Sequence, residues 1–143
     1  MRRVVPLLIV LSLGFAPAPV YRGSPGWCAA DLKAMQGEWV GVSMIQGGVD
    51  TVKPEDRPPG WRITGNVLTQ VLASTGGPQL TITLGGTQRH KTMDLEIAGV
   101  PPGRALYWLD GDTLKVALGR SRPTDFNGKG DNSTVMTMKR KKP

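Results

Sequence analysis

The chain has 143 residues, 39% of them apolar and 20% charged, enough for one domain and too few for two ordinary ones. Nineteen glycines and twelve prolines count against long helices, which both residues interrupt, and favour short strands joined by turns. The formal charge is +7; setting aside Arg2 and Arg3 leaves 16 basic against 11 acidic residues, and Lys139, Arg140, Lys141 and Lys142 crowd the C-terminus. No basic stripe interleaved with aromatic residues is present, so nucleic acid is excluded as a partner.

Met1-Arg2-Arg3 precedes an apolar run from Val4 to Phe15, and Ala16-Pro17-Ala18 follows it. A positive start, a short apolar run and an Ala-x-Ala end describe a secretory signal peptide over residues 1–18. The run is too short to span a bilayer as a helix. Pro19 after Ala18 disfavours cleavage there, so the mature start is expected between Val20 and Asp31, in a periplasmic or extracellular protein. Residues 19–30 read as a Pro/Gly-rich linker. The single cysteine, Cys28, lies in it, behind Trp27 where a lipid-anchored cysteine needs a small residue. One cysteine cannot form an internal disulfide, so the core must hold the fold.

Asp31 supplies an N-cap for a short helix ending before Gly37. Beyond it the apolar period becomes two. Trp61 and Ile63 alternate with polar residues, as do Leu80, Ile82 and Leu84, then Met93, Leu95 and Ile97, then Leu114, Val116 and Leu118. This is the pattern of strands with one dry face. Gly65-Asn66 and Asp110-Gly111 mark hairpin turns. Strands are predicted near 37–45, 60–64, 67–72, 79–84, 92–97, 104–109, 112–118 and 133–140. Eight consecutive antiparallel strands expose two edges unless they close. The expected fold is therefore all-β, an eight-stranded up-and-down antiparallel barrel over residues 31–140 with a short N-terminal helix and a basic tail at 141–143. A two-sheet sandwich is the competitor.

Gly37-Glu38-Trp39, opening the first strand after a helical segment, resembles the Gly-x-Trp motif of lipocalins. Arg140, ending the last strand, matches the basic residue that packs over that tryptophan in the superfamily. Gly37, Trp39 and Arg140 are thus expected to close one end of the barrel, the cation stacked on the indole. The longer series Asp31-Leu32-x-x-Met35-Gln36-Gly37-x-Trp39, Met93-Asp94-Leu95, Leu106-Tyr107-Trp108-Leu109-Asp110-Gly111-Asp112-Thr113-Leu114-Lys115 and Arg122-Pro123-Thr124-Asp125-Phe126 is similar to a lipocalin-like domain family of unknown function abundant in planctomycete-type bacteria. Members carry a cysteine soon after the Gly-Asp-Thr-Leu-Lys segment, where this chain has Ala117. The resemblance implies a fold and a compartment but no activity.

No constellation for catalysis emerges. His90 is the only histidine and sits between Arg89 and Lys91, a poor setting for a cation. Asp110-Gly111-Asp112 is what a tight hairpin demands. Asp125 to Asp131 partly imitates a calcium loop, with Gly130 at the sharp turn, but Lys129 and Met136 stand where oxygen ligands belong. Asn132-Ser133-Thr134 matches a glycosylation acceptor, a chemistry not expected in a bacterial protein. A Gly-x-Ser-x-Gly elbow and a phosphate-binding glycine loop are both missing. The chain is therefore expected to be a non-catalytic monomer without metal or cofactor. Two roles fit: binding a small apolar ligand in a cavity lined by Met44, Trp61, Ile63, Ile82, Leu95, Trp108, Val116 and Met136, or serving as a filled-barrel module that contacts an envelope protein. Access is expected at the end opposite Trp39, beside the stiff loop from Gly47 to Gly60.

Overall fold

Helix α1, Gly26–Ala34, leads into a single antiparallel sheet in the computed structural model, which describes residues 24–52, 59–71, 76–130 and 132–143. The strands are β1 (Gly37–Gln46), β2 (Val49–Asp50), β3 (Gly60–Thr64), β4 (Val67–Val71), β5 (Gly76–Gly86), β6 (Lys91–Ile97), β7 (Val100–Asp110), β8 (Thr113–Gly119) and β9 (Thr134–Arg140). Each of β3 to β9 pairs with the next, β3 pairs with β1, and β9 returns to β1 along Trp39↔Arg140 to Gln46↔Thr134. The eight-stranded meander is closed, as the sequence predicts, so each barrel strand has a neighbour on both sides. The sandwich is excluded. Strand β2 is a short ninth element that folds back on the end of β1.

Alternation sets the inside. Trp39, Trp61, Ile63, Leu68, Ile82, Leu84, Met93, Leu95, Tyr107, Leu114, Val116 and Met138 face inward and form one buried cluster. A second cluster lies on the outer wall, where Leu106, Ala117 and Val135 are covered by Ile45 and Phe126. Ile45 belongs to β1, and Phe126 to the segment 120–130, which folds back over the outer wall. Arg122 ties it down, donating to the Ala105 carbonyl at 2.9 Å and to Asp94 at 2.6 Å.

Two boundaries differ from expectation. The domain does not start at Asp31, because α1 begins at Gly26 behind Pro25, and Asp31 lies within it rather than at its N-cap. Cys28 is accordingly no linker residue; it is 4% exposed and belongs to the core. Local composition, rich in Gly and Pro up to residue 26, conceals the apolar spacing of Trp27, Cys28, Leu32 and Met35, which is what docks the helix. The export segment at 1–18 and residues 19–23 of the expected linker lie outside the described residues.

Candidate functional site

The two ends of the barrel follow from which turns meet there. One end gathers α1 with the turns after β3, β5 and β7. Its centre is Trp39, 1% exposed, whose indole N–H donates to the Met35 carbonyl at 2.8 Å. The Arg140 guanidinium lies 4.3 Å from the Trp39 ring centroid and also donates to the Gln36 carbonyl at 2.6 Å and the Ala34 carbonyl at 2.5 Å. These carbonyls end α1 without helical partners, so the cation caps the helix as well as the indole. Asp112 accepts from Arg140 Nε at 3.0 Å. Gly37 enters the strand at φ +112°, with Arg140 against the position of any Cβ, which suits glycine alone. The expected Gly37, Trp39 and Arg140 arrangement is present, and the helix-capping bonds enlarge it.

Around this plug the closure is polar and aromatic. Asp31 accepts from Lys91 Nζ and from the Tyr107 hydroxyl, both at 2.7 Å, while the Lys91 ammonium lies 5.4 Å from the Trp27 ring. Gln36 donates to the Gly65 carbonyl and accepts from its N–H, pinning the β3–β4 turn to α1. Burial and the bond to Asp31 push the Tyr107 phenol far above its ordinary range. The Cys28 thiol is also raised, by burial and then by Asp31, with Lys91 opposing. Neither group is poised as a nucleophile or acid at neutral pH.

The opposite end is different. Met44, Leu80, Leu118 and Met136 occupy inward positions, given by Met44↔Met136 and Leu68↔Leu80 and by Leu118 facing Ala105. All four nonetheless keep partial exposure, with Leu80, Leu118 and Met136 packed at the edge of the core, so this end is less sealed than the other. Gly103 and Thr134 share the same face. A cavity of about 560 Å³ opens at this lip, lined by Pro101, Gly103, Leu118, Gly119, Arg120 and Thr134 among others.

The residues expected to line a cavity thus divide. Trp61, Ile63, Ile82, Leu95 and Val116 point inward and pack on one another, each at most 5% exposed. Met44 and Met136 face the open half. Trp108 does not line the interior at all. It lies on the outer wall, 46% exposed, opposite Lys115, because its neighbour Tyr107 pairs with inward Val116. The sequence held the signal. A two-residue turn makes paired numbers across a hairpin sum to an odd value, so even inward positions on β8 (Leu114, Val116) require odd ones on β7.

His90 lies in the exposed turn between β5 and β6, its N–H bonded to the Thr87 carbonyl. Asp125 accepts from the Asn127 backbone and side chain, and Asn127 accepts from the Lys129 N–H, so these oxygens serve their own loop; Asp131 lies outside the described residues. Among the described residues no three His, Cys, Asp or Glu side chains gather as a metal set would. No protein family, curated protein or solved structure matches this chain.

Proposed function

We propose that this is an exported, non-catalytic lipocalin-like binding protein that holds a small apolar ligand in the open half of its barrel. The observation that carries the reading is the set Met44, Leu80, Leu118 and Met136, four inward apolar side chains left partly exposed. Apolar surface facing a preformed, solvent-accessible interior is stabilised by any apolar molecule that replaces the water. Methionine suits such a wall, since its flexible thioether adapts to varied shapes. The sealed layer below limits the depth, so the ligand is short or lies with much of its length at the lip. Export is supported by the Arg2-Arg3 start and the apolar run behind it. Because Trp27 and Cys28 pack in the core, the cleavage compatible with the fold lies before Gly26.

Calorimetry of the mature chain with medium-chain fatty alcohols is the test. Saturable binding with a negative heat-capacity change is expected, and Met136→Trp, which fills the open half, should abolish it while the fold remains. Absence of binding to the wild-type chain overturns the reading. The alternative, a filled barrel acting as an interaction module, is favoured by the closed half alone, where Met35, Met93, Leu114 and Met138 show no exposed surface.

A further inference from the structure

A sheet's wet face is expected to carry polar residues at alternate positions. On the outer face of β7 this holds at Arg104 and Asp110 but fails at Leu106 and Trp108. Leu106 is covered by the 120–133 connection. Trp108 is not covered, and it is the only aromatic side chain among the large apolar residues left exposed in the described part of the chain. The connection stops short of it and builds a wall instead. Thr124 and Phe126, the turn Gln88-Arg89-His90, and Leu106 and Trp108 on the outer face of β7 line a groove of about 340 Å³.

The wall is fixed rather than draped. Arg122 holds its start on Asp94 and Ala105, and Asp125 and Asn127 close successive turns. Gly128 presses so closely on Ile45 that a Cβ would lie 2.8 Å from its side chain. Such a groove is preformed, and its volume is at the small end of the range for small-molecule sites.

Its charge is one-sided. Lys91 is neutralised by Asp31, but among the described residues neither Arg89 nor Lys115 has a carboxylate at ion-pair distance. The Lys115 ammonium stands 6.0 Å from the Trp108 ring centroid, and Arg89 lines the groove. Asp110, two residues along the same face, does not line it. A flat aromatic floor beside unpaired cations is complementary to a flat molecule bearing negative charge. We propose that this outer groove is a second binding site, separate from the barrel interior, that takes a small planar aromatic carboxylate with its ring on Trp108 and its carboxylate toward Arg89.

The test uses the full mature chain labelled with ¹⁵N, titrated with 2-naphthoate and, in parallel, with uncharged 2-naphthylmethanol. A ligand of this size on a shallow site binds with Kd on the order of 1 mM. Saturable movement of the Trp108 indole N–H signal by 2-naphthoate is expected, with the signals of buried Trp39 and Trp61 unmoved. Trp108→Ala should abolish saturation transfer to 2-naphthoate while leaving those two signals in place, which verifies the fold. Arg89→Gln should weaken 2-naphthoate about threefold and leave 2-naphthylmethanol unchanged. The proposal is overturned if 2-naphthoate still binds Trp108→Ala, which would place it in the barrel. It is equally overturned if the Trp108 signal stays still with 2-naphthoate but moves with an acidic aromatic peptide, which would make the groove a protein-docking surface.

Discussion

Met138 and Met136 lie two residues apart on β9, point the same way, and meet opposite surroundings. Met138 has no exposed surface and packs under the Trp39 and α1 closure, whereas Met136 faces the accessible half beside Met44. The same contrast separates the whole of one barrel end from the other. The closed end combines an aromatic plug, a guanidinium that caps both ring and helix, and a half-buried Asp31–Lys91 pair on the buried Tyr107. The open end has apolar residues only partly covered and glycine and proline at the lip. Burial is therefore most complete at the closed end and less complete at the other. Space left inside a barrel is packing forgone.

Five measurements break or sharpen that division. The largest effect is expected from Trp39→Ala, which removes a buried indole and its bond to Met35. A loss of about 3–5 kcal/mol should lower the melting temperature by about 10–25 °C, and an unchanged transition would show that the closed end is not held by its plug. Next comes the methionine pair. Met138→Ala should cost about 2–5 kcal/mol, as buried truncations do, and Met136→Ala about 1 kcal/mol or less. Equal costs would mean that the two halves are packed alike. Arg140→Ala should cost about 1–3 kcal/mol through the lost stacking and carbonyl bonds. Arg140→Lys should restore only part, because an ammonium cannot span ring, helix end and Asp112 together.

The smallest expected effect is on the alkaline side. Tyr107 and Cys28 are both held protonated in the folded chain above their ordinary values of 10.0 and 9.0. Their contribution is therefore full below about pH 9 and declines as pH rises past those values, where unfolding would release the protons. Melting temperature followed from pH 7 to 11 should fall over the upper part of that range, and Tyr107→Phe should flatten the fall. The buried thiol of Cys28 should react with a thiol reagent only at the rate of unfolding; rapid labelling of the native chain would place α1 off the barrel.

Much of this was legible in the residues. Period-two runs and the Gly65 and Gly111 turns mark out strands that agree with β3 to β9 to within a few residues, and closure follows from having eight of them in meander order. Trp39 and Arg140 are legible through their resemblance to lipocalins. By sequence Trp108 reads as interior because Ala105 to Leu109 is apolar throughout, so the run itself carries no phase. The phase comes from β8 across the hairpin, and the parity of a two-residue turn settles it. Cys28 reads as a linker residue for a different reason: Pro19, Gly23, Pro25 and Gly26 resemble a linker, and only the barrel end waiting to be covered makes the next turns of chain a docked helix.

The sequence by itself determined the strands, their order and the inward set, because alternation and turn chemistry act over neighbours a few residues apart. Tertiary structure alone decided which inward residues are sealed and which stay open, since that depends on whether α1 or only a lip of loops lies over them. It also decided that Arg140 caps a helix 104 to 106 residues away, and that the 120–133 connection covers Leu106 and leaves Trp108 bare. These are contacts between segments far apart in the chain, and no local pattern of residue types encodes where a long connection comes to rest.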